Sequence, residues 1–336
     1  RRGRPPPPSP GAPVSRPPIL VTGGAGYIGS VLVRRLLEDG ARVRVLDRFL
    51  FGGQGLDGIA SDGSLTVLHR DLRDPRAHAE ALEGVETVIH LAAIVGDKAC
   101  AQDEERAVQT NWTATVAFAR SAAARGIRRF VFASTCSVYG EGREETLTEE
   151  SPVKPLSLYA ETRWHAEQGL LELASEGTLQ PVLLRFGTVY GLSPRMRFDL
   201  VVNLLARDAV LKGAVTIFGG DQWRPFVHVS DIARALRLAA FEPLPEDSPI
   251  VNVGDNLENY QLKDLKEAIE ENVPGAGVTI QPAAKDPRTY RVSFDKIERL
   301  WGFRAERRVG EGIAEIAAAV RGGRIPQPYD ARYVNA

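Results

Sequence analysis

A chain of 336 residues, 43% hydrophobic and 25% charged, is long enough for one large domain or two coupled ones and has an ordinary globular balance. Its net charge of −1 gives no basic excess, which excludes a general affinity for nucleic acid or an anionic membrane. No apolar run approaches the roughly 20 residues that span a bilayer. Two cysteines, Cys100 and Cys136, are too few for a disulfide framework or a four-cysteine zinc site, so no metal is expected and the setting is reducing and cytoplasmic.

Residues 1–18 are rich in Pro and Arg, without apolar periodicity, and read as a disordered or polyproline-like tail. Pro5–Pro8 leave an SH3-type ligand as the alternative, and the missing initial Met suggests a trimmed chain. From Ile19 strands alternate with helices. Strands are expected at Ile19–Thr22, Arg42–Asp47, Leu65–Arg70, Thr87–Leu91, Phe130–Ser134 and Val182–Phe186. Helices are expected at Tyr27–Glu38, over a long Asp103–Ala124 and at Tyr159–Glu176. Short apolar strands alternating with amphipathic helices predict an α/β fold, a Rossmann-type doubly wound parallel sheet. Beyond Phe186 the rhythm weakens into loops rich in Gly, Pro and Arg at Gly191–Arg197 and Gly219–Pro225. That material reads as a smaller C-terminal substrate-binding lobe. The expected division is a dinucleotide domain over 19–186, rejoined by the chain around 226–253, and a lobe drawn mainly from 187–330.

The segment Thr22-Gly-Gly-Ala-Gly-Tyr-Ile-Gly29 leaves the first strand and opens the first helix. Gly23 permits a tight turn, Gly26 lets backbone approach a diphosphate, and Gly29 lets helix pack on strand. With Tyr27 and Ile28 they begin a helix whose free amides suit the anion. Asp47 ends the second strand, 18 residues after Gly29, where a carboxylate can bond adenosine ribose hydroxyls and repel a 2′-phosphate. NAD is therefore expected over NADP. Arg48, beside it, pulls the other way, since a guanidinium can receive that phosphate. Asp71-Leu72 ends the third strand, where a side chain can meet the adenine amine, with a solvated strand-end Asp as the alternative.

Further ordered motifs follow: His90-Leu91-Ala92-Ala93, Asn111, Ser134-Thr-Cys-Ser-Val-Tyr-Gly140, Tyr159-Ala-Glu-Thr-Arg163, Arg185-Phe-Gly-Thr-Val-Tyr-Gly191 and Phe218–Val229. With the glycine loop they resemble the extended short-chain dehydrogenase/reductase family, in its NAD-dependent nucleotide-sugar epimerase/dehydratase branch, from Ile19 to about Arg321. The resemblance implies further cofactor contacts from Leu91, Ala92, Ala93 and Asn111, and catalysis by Tyr159 with Thr135. A base beside the nicotinamide is needed because hydride leaves a carbinol carbon only as its hydroxyl proton is removed. Lowering a phenol from about 10 to about 7 takes roughly 4 kcal/mol, which one cation about 4 Å away at an effective dielectric of about 20 supplies. The family places Lys four residues after the Tyr; this chain has Arg163 there. The i, i+4 spacing keeps its charge on Tyr159's helix face, but its planar fork directs donors differently.

The dehydratases of the family carry Asp-Glu where this chain has Cys136-Ser137, which argues against loss of water. Cys136 reads as a small packed thiol. Arg224 matches a family arginine that contacts the nucleotide diphosphate, and Asn203 and Arg288 fall where further nucleotide contacts occur, although Asp286-Pro-Arg-Thr-Tyr departs from the common motif. Thr188 stands where most relatives have Asn and resembles the uronate 4-epimerases, with Ser137 a second small hydroxyl. The leading expectation is a C4 epimerase of a nucleotide-diphosphate sugar, passing through a transient 4-keto sugar and working as a homodimer. Two alternatives stand beside it: a one-way NAD(P)-dependent dehydrogenase or 4-ketoreductase, and an NAD-binding protein with little catalysis because Arg163 replaces Lys.

Overall fold

The structure, a computed structural model, describes residues 17–60, 62–243, 249–282 and 288–335. Most of the proline-rich segment therefore lies outside the described residues. The first half runs β1 (Ile19–Thr22), α1 (Tyr27–Glu38), β2 (Val43–Asp47), β3 (Leu65–His69), α2 (Pro75–Leu82) and β4 (Thr87–His90). It continues with α3 (Asp97–Gln102), α4 (Glu104–Val108), α5 (Ala114–Ala123), β5 (Arg129–Thr135), β6 (Glu141–Leu147), α6 (Leu158–Ser175) and β7 (Gln180–Phe186). The second half holds β8 (Thr188–Tyr190), α7 (Val201–Lys212), β9 (Ala214–Phe218), β10 (Trp223–His228), α8 (Val229–Phe241) and β11 (Ile250–Val253). It closes with β12 (Asn259–Gln261), α9 (Leu265–Asn272), β13 (Gly277–Gln281), β14 (Thr289–Val292), α10 (Asp295–Trp301) and α11 (Val309–Arg321).

Seven strands form one sheet in the order β11-β7-β5-β4-β1-β2-β3, and each neighbouring pair is parallel. The β1 side chains are buried throughout, as expected of a strand covered on both faces. Because β2 and β4 flank β1 on opposite sides, the chain leaves in two directions there and opens a crevice at the strand ends. Of the later segment, β11 joins the large sheet beside β7, and α8 packs on α1. β10 instead joins β8 and β12 in a separate three-stranded sheet. A second apolar cluster, including Met196, Phe198, Leu265 and Ile313, holds the lobe together under α7, α9 and α11.

The helix expected over Asp103–Ala124 runs without interruption from Glu104 to Ala123, as α4, a π-helical turn and α5. Asp103 caps α4 by accepting the Arg106 amide at 3.1 Å, ending α3 just before it. A π-helical turn, Gln109–Thr113, then precedes α5. Such a turn inserts a residue into the helical ladder and re-aims side chains. Here Asn111 points into the interior.

Candidate active site

An open cavity of about 730 Å3 lies over the carboxyl ends of the sheet, between it and the lobe. Its cofactor end begins at the glycine loop. Gly23 takes φ +73°, and a Cβ there would come within 2.8 Å of the Ala92 amide. At Gly29 a Cβ would meet the Gly23 carbonyl at 2.2 Å, so only glycine lets α1 pack on its own loop. Asp47 accepts the Ala25 amide at 2.9 Å and the Phe49 amide at 2.7 Å, and burial pushes its carboxyl up. Thus the carboxylate braces the glycine loop and the turn after β2. Arg48 reaches Asp71 at 3.4 Å, and Asp71 also pairs with Arg73 at 2.7 Å, which holds its carboxyl at about 2. Gly23, Gly26, Tyr27, Ile28, Gly29, Asp47, Arg48, Asp71, Leu72, Leu91, Ala92 and Ala93 all line this cavity.

Its centre is set by β5 and α6. Ser157 caps α6 by accepting the Ala160 amide, and the helix presents Tyr159 and Arg163 one turn apart. Both line the cavity with Thr135, which ends β5. Burial pushes the Tyr159 phenol up, and the Arg163 charge is the chief influence pulling it down. Arg163 is itself 2% exposed, with its guanidinium 4.4 Å from the centre of the Phe132 ring. Its Nη2 donates to the Ala133 carbonyl, while its Nε and Nη1 have no hydrogen-bond partner among the described residues. Thr135 Oγ1 accepts the Ser137 amide and donates to Ser137 Oγ, each at 3.1 Å. Ser137 Oγ lies 3.4 Å from the Tyr290 hydroxyl.

At the far end Thr188, Arg224, Arg288 and Tyr290 line the same cavity. The Arg224 guanidinium faces the Tyr290 ring at 5.6 Å and bonds the Arg288 carbonyl, while Arg288 pairs with Asp97 across the opening. Sequence reasoning missed Tyr290, which sits just after the unusual Asp-Pro-Arg-Thr run and is brought in by β14 pairing with β6. It also missed Arg195, Arg197 and Asp199, which line the cavity from the loop between β8 and α7. That loop's Arg and Pro content was the available signal.

Two expected contacts are corrected. Asn111 is fully buried and does not line the cavity: its Oδ1 accepts the Ile94 amide at 2.8 Å and its Nδ2 donates to the Ile94 carbonyl at 2.9 Å. It shapes the wall that follows Ala93. Asn203 is also fully buried outside the lining. Its Oδ1 accepts the Gly191 amide at 2.9 Å, and its Nδ2 donates to the Arg197 carbonyl at 2.9 Å and to the Tyr27 hydroxyl at 3.1 Å. That amide is spent on the loop, since the expected ligand contact would need it at the surface. Cys136 is fully buried, donates to the Arg185 carbonyl at 3.2 Å, and has its thiol pushed up by burial.

Residues 19–254 match the NAD dependent epimerase/dehydratase family. The chain belongs to that family. A UDP-glucose 4-epimerase from Halalkalibacterium halodurans is 31% identical, the match covering 85% of this chain and 90% of that protein. Another from Corynebacterium glutamicum is 28% identical over 86% of this chain and 91% of its own length. Among solved structures, MoeE5 in complex with UDP-glucuronic acid and NAD superposes with a TM-score of 0.79 at 30% identity, covering 91% of this chain and 99% of that one. The Thermus thermophilus UDP-glucose 4-epimerase in complex with NAD gives 0.78 at 30% identity over 90% and 99%. This family member is thus an NAD-dependent enzyme of nucleotide sugars with a Rossmann-type fold. No helix among the described residues is long and apolar enough to cross a membrane, and none of their His, Cys, Asp and Glu side chains gather into a group of three that could hold a metal.

Proposed function

We propose that this enzyme interconverts nucleotide-diphosphate sugars at C4, with Tyr159 as the acid–base group, Thr135 as the hydroxyl that holds the reacting oxygen, and Arg163 as the cation that makes the phenol a competent base. The supporting observation is the arrangement of these three side chains in one wall of a cavity whose other end is a glycine loop braced by Asp47. NAD fits that end, because Gly23 and Gly29 let the loop fold tightly against Ala92 and α1, so that the α1 amides begin beside the cavity. When bound there, NAD supplies the hydride acceptor that becomes the donor on return.

The chain's own residues move the proton. Tyr159 takes it from the C4 hydroxyl as the carbon is oxidised to a ketone, and gives it back after the sugar has turned its other face. Arg163 favours the ionised phenol, and its two unpartnered donors are free to meet the nicotinamide ribose. At the substrate end, Arg224 and Arg288 supply positive charge for the diphosphate. A uronate sugar is the second reading, favoured by the Ser137 and Thr188 hydroxyls facing the cavity with those arginines. The Lys98, Asp97 and Arg288 rim admits the sugar, and Asp71 and Leu72 border the adenine end. Copies pair through the helices near Asn111–Ala124 and Tyr159–Glu176, where Trp112 is exposed and stacked on His165 at 4.4 Å. Both cysteines are free thiols, which suits a reducing cytoplasm.

The test is mass spectrometry with NMR on the enzyme, NAD and a panel of UDP-, dTDP-, GDP- and CDP-sugars and uronates. A product of unchanged mass and new C4 stereochemistry, without NADH build-up, is expected. Stoichiometric NADH would instead make it a one-way dehydrogenase. No conversion by the natural chain, with activity gained in Arg163→Lys, would make it a binding protein.

A further inference from the structure

The loop between β8 and α7 crosses from the lobe onto the first turn of α1, and three hydrogen bonds of its own and a fourth from α7 hold it there. The Tyr27 hydroxyl donates to the Gly191 carbonyl at 2.6 Å, and Ser193 Oγ donates to the Tyr27 carbonyl at 2.7 Å. Ser193 Oγ also lies 3.0 Å from Ser30 Oγ, and Asn203 Nδ2 donates to the Tyr27 hydroxyl at 3.1 Å. Two arginines of this loop face the cavity, and they differ. Arg197 is paired with Asp199 through two contacts, at 3.1 and 2.6 Å. Arg195 is 4% exposed, and its Nε and Nη2 have no hydrogen-bond partner among the described residues. Its guanidinium lies 4.1 Å from the centre of the Phe51 ring, in the turn that follows Asp47.

A buried guanidinium left with free N–H groups is costly to the protein alone. Burial and the nearby Arg197 lower its ionisation to about 10, so the charge persists at neutral pH. An anion with two acceptor oxygens matches what is left over, because a guanidinium bonds phosphates through parallel N–H groups. Phe51, Asp47, Ala25 and Gly26 mark this as the dinucleotide end, while Arg224, Arg288 and Tyr290 lie at the sugar-nucleotide end. We propose that Arg195 is a clamp on the diphosphate of the dinucleotide cofactor, carried over the glycine loop by the C-terminal lobe. The glycine loop then holds the diphosphate from below with backbone amides and Arg195 holds it from above with charge. An enzyme that must keep its NAD through both half-reactions gains slow cofactor release from such a strap. The inference rests on the dinucleotide site proposed above, and binding is read without turnover, so a chain that binds NAD and converts no sugar leaves it standing.

The experiment compares the natural chain with Arg195→Met, which keeps bulk over Phe51, and with Arg195→Lys. Nucleotide-free protein is titrated with NAD, ADP-ribose, adenosine, NADP and UDP, and NAD release is followed from loaded protein. Arg195→Met is expected to weaken NAD and ADP-ribose on the order of ten- to a hundredfold and to speed release by a similar factor. Adenosine and UDP should be unchanged, and the nucleotide-free melting temperature should hold or rise once an unpaired buried charge is gone. Arg195→Lys should fall between, and it carries the test if the Met variant does not fold. Equal NAD affinity in all three proteins would overturn the proposal. So would a loss confined to UDP, which would assign Arg195 to the substrate, or one confined to NADP, which would assign it to a 2′-phosphate.

Discussion

Two arginines from adjoining elements, Arg185 on β7 and Arg163 on α6, are both buried to 2% exposure, yet they live in opposite electrostatic settings. Arg185 bonds Glu167 twice, at 2.7 and 3.0 Å, and the Tyr139 hydroxyl at 3.0 Å. Ser134 Oγ closes the same cluster on Glu167, and Tyr139 passes it on to Asn252 of β11 at 2.8 Å. Arg163 lies one helical turn before Glu167, faces the cavity, and keeps two donors unpartnered. The difference separates scaffold from site. Arg185, whose donors are taken up by Glu167 and Tyr139 in the interior, holds elements together, whereas Arg163 keeps donors for a ligand.

The largest expected effect falls on the group Arg163 serves. Tyr159→Phe removes one oxygen and leaves the ring, so NAD binding should persist while turnover falls at least about a thousandfold. Turnover within tenfold of the natural chain would take the acid–base role away from Tyr159 and leave Arg163 without a catalytic purpose.

Glu167→Ala should next mark the scaffold side. It strands the Arg185 charge in the interior, at a cost of about 3–5 kcal/mol in unfolding free energy. Chemical denaturation checks this, and a loss under about 1 kcal/mol would mean that Arg185 finds water or another partner and is not the closed cluster described.

How much of this contrast was legible beforehand follows the reach of each interaction. The glycine loop, Asp47 and the Tyr159–Arg163 spacing are local patterns, in which a strand end or a helical turn fixes the geometry. Alternating strands and helices likewise foretold the doubly wound sheet. Asn111 and Asn203 misled because a polar side chain's position along a helix does not say whether it turns to a cavity or a backbone gap. Arg195 and Tyr290 stayed hidden because segments far along the chain carry them to the site, one strapped to α1 through Tyr27 and one paired through β14 with β6. The π turn at Gln109–Thr113, inside the expected long helix, is a detail that apolar periodicity does not register.

Arg163 itself should respond more mildly than Tyr159. Arg163→Met removes the main influence that lowers the phenol, so the phenol's pKa rises and the ionised fraction at neutral pH shrinks. The rate at pH 7.5 should drop about a hundredfold, and its increase with pH should move to higher pH. Arg163→Lys restores the charge and should recover most of the rate with the profile back in place. A pH profile identical in all three proteins would show that Arg163 does not act on Tyr159 through its charge.

His90 handles burial in a third way, by giving up its charge. It sits fully buried at the end of β4, with Nδ1 3.0 Å from the Thr22 hydroxyl and Nε2 3.0 Å from that of Thr115. Thr22 Oγ1 in turn accepts the Ala92 amide, so the ring braces the wall opposite the glycine loop. Burial first, then the Arg163 charge, depress its pKa from 6.5 to about 3. The folded chain therefore refuses a proton that the unfolded chain takes below about pH 6.5. Stability should fall as pH drops from there toward 3, by on the order of 1.4 kcal/mol per unit for this one group, with no further loss from it below 3. His90→Gln keeps polar atoms for both threonines and cannot titrate, so its stability should decline less steeply over the same range. Denaturation midpoints at intervals from pH 7 to 4.5 read that slope directly. Parallel slopes in the two proteins would mean that the folded state accepts the proton after all, and that His90 belongs with Arg185 among the buried groups whose charge is met by a partner.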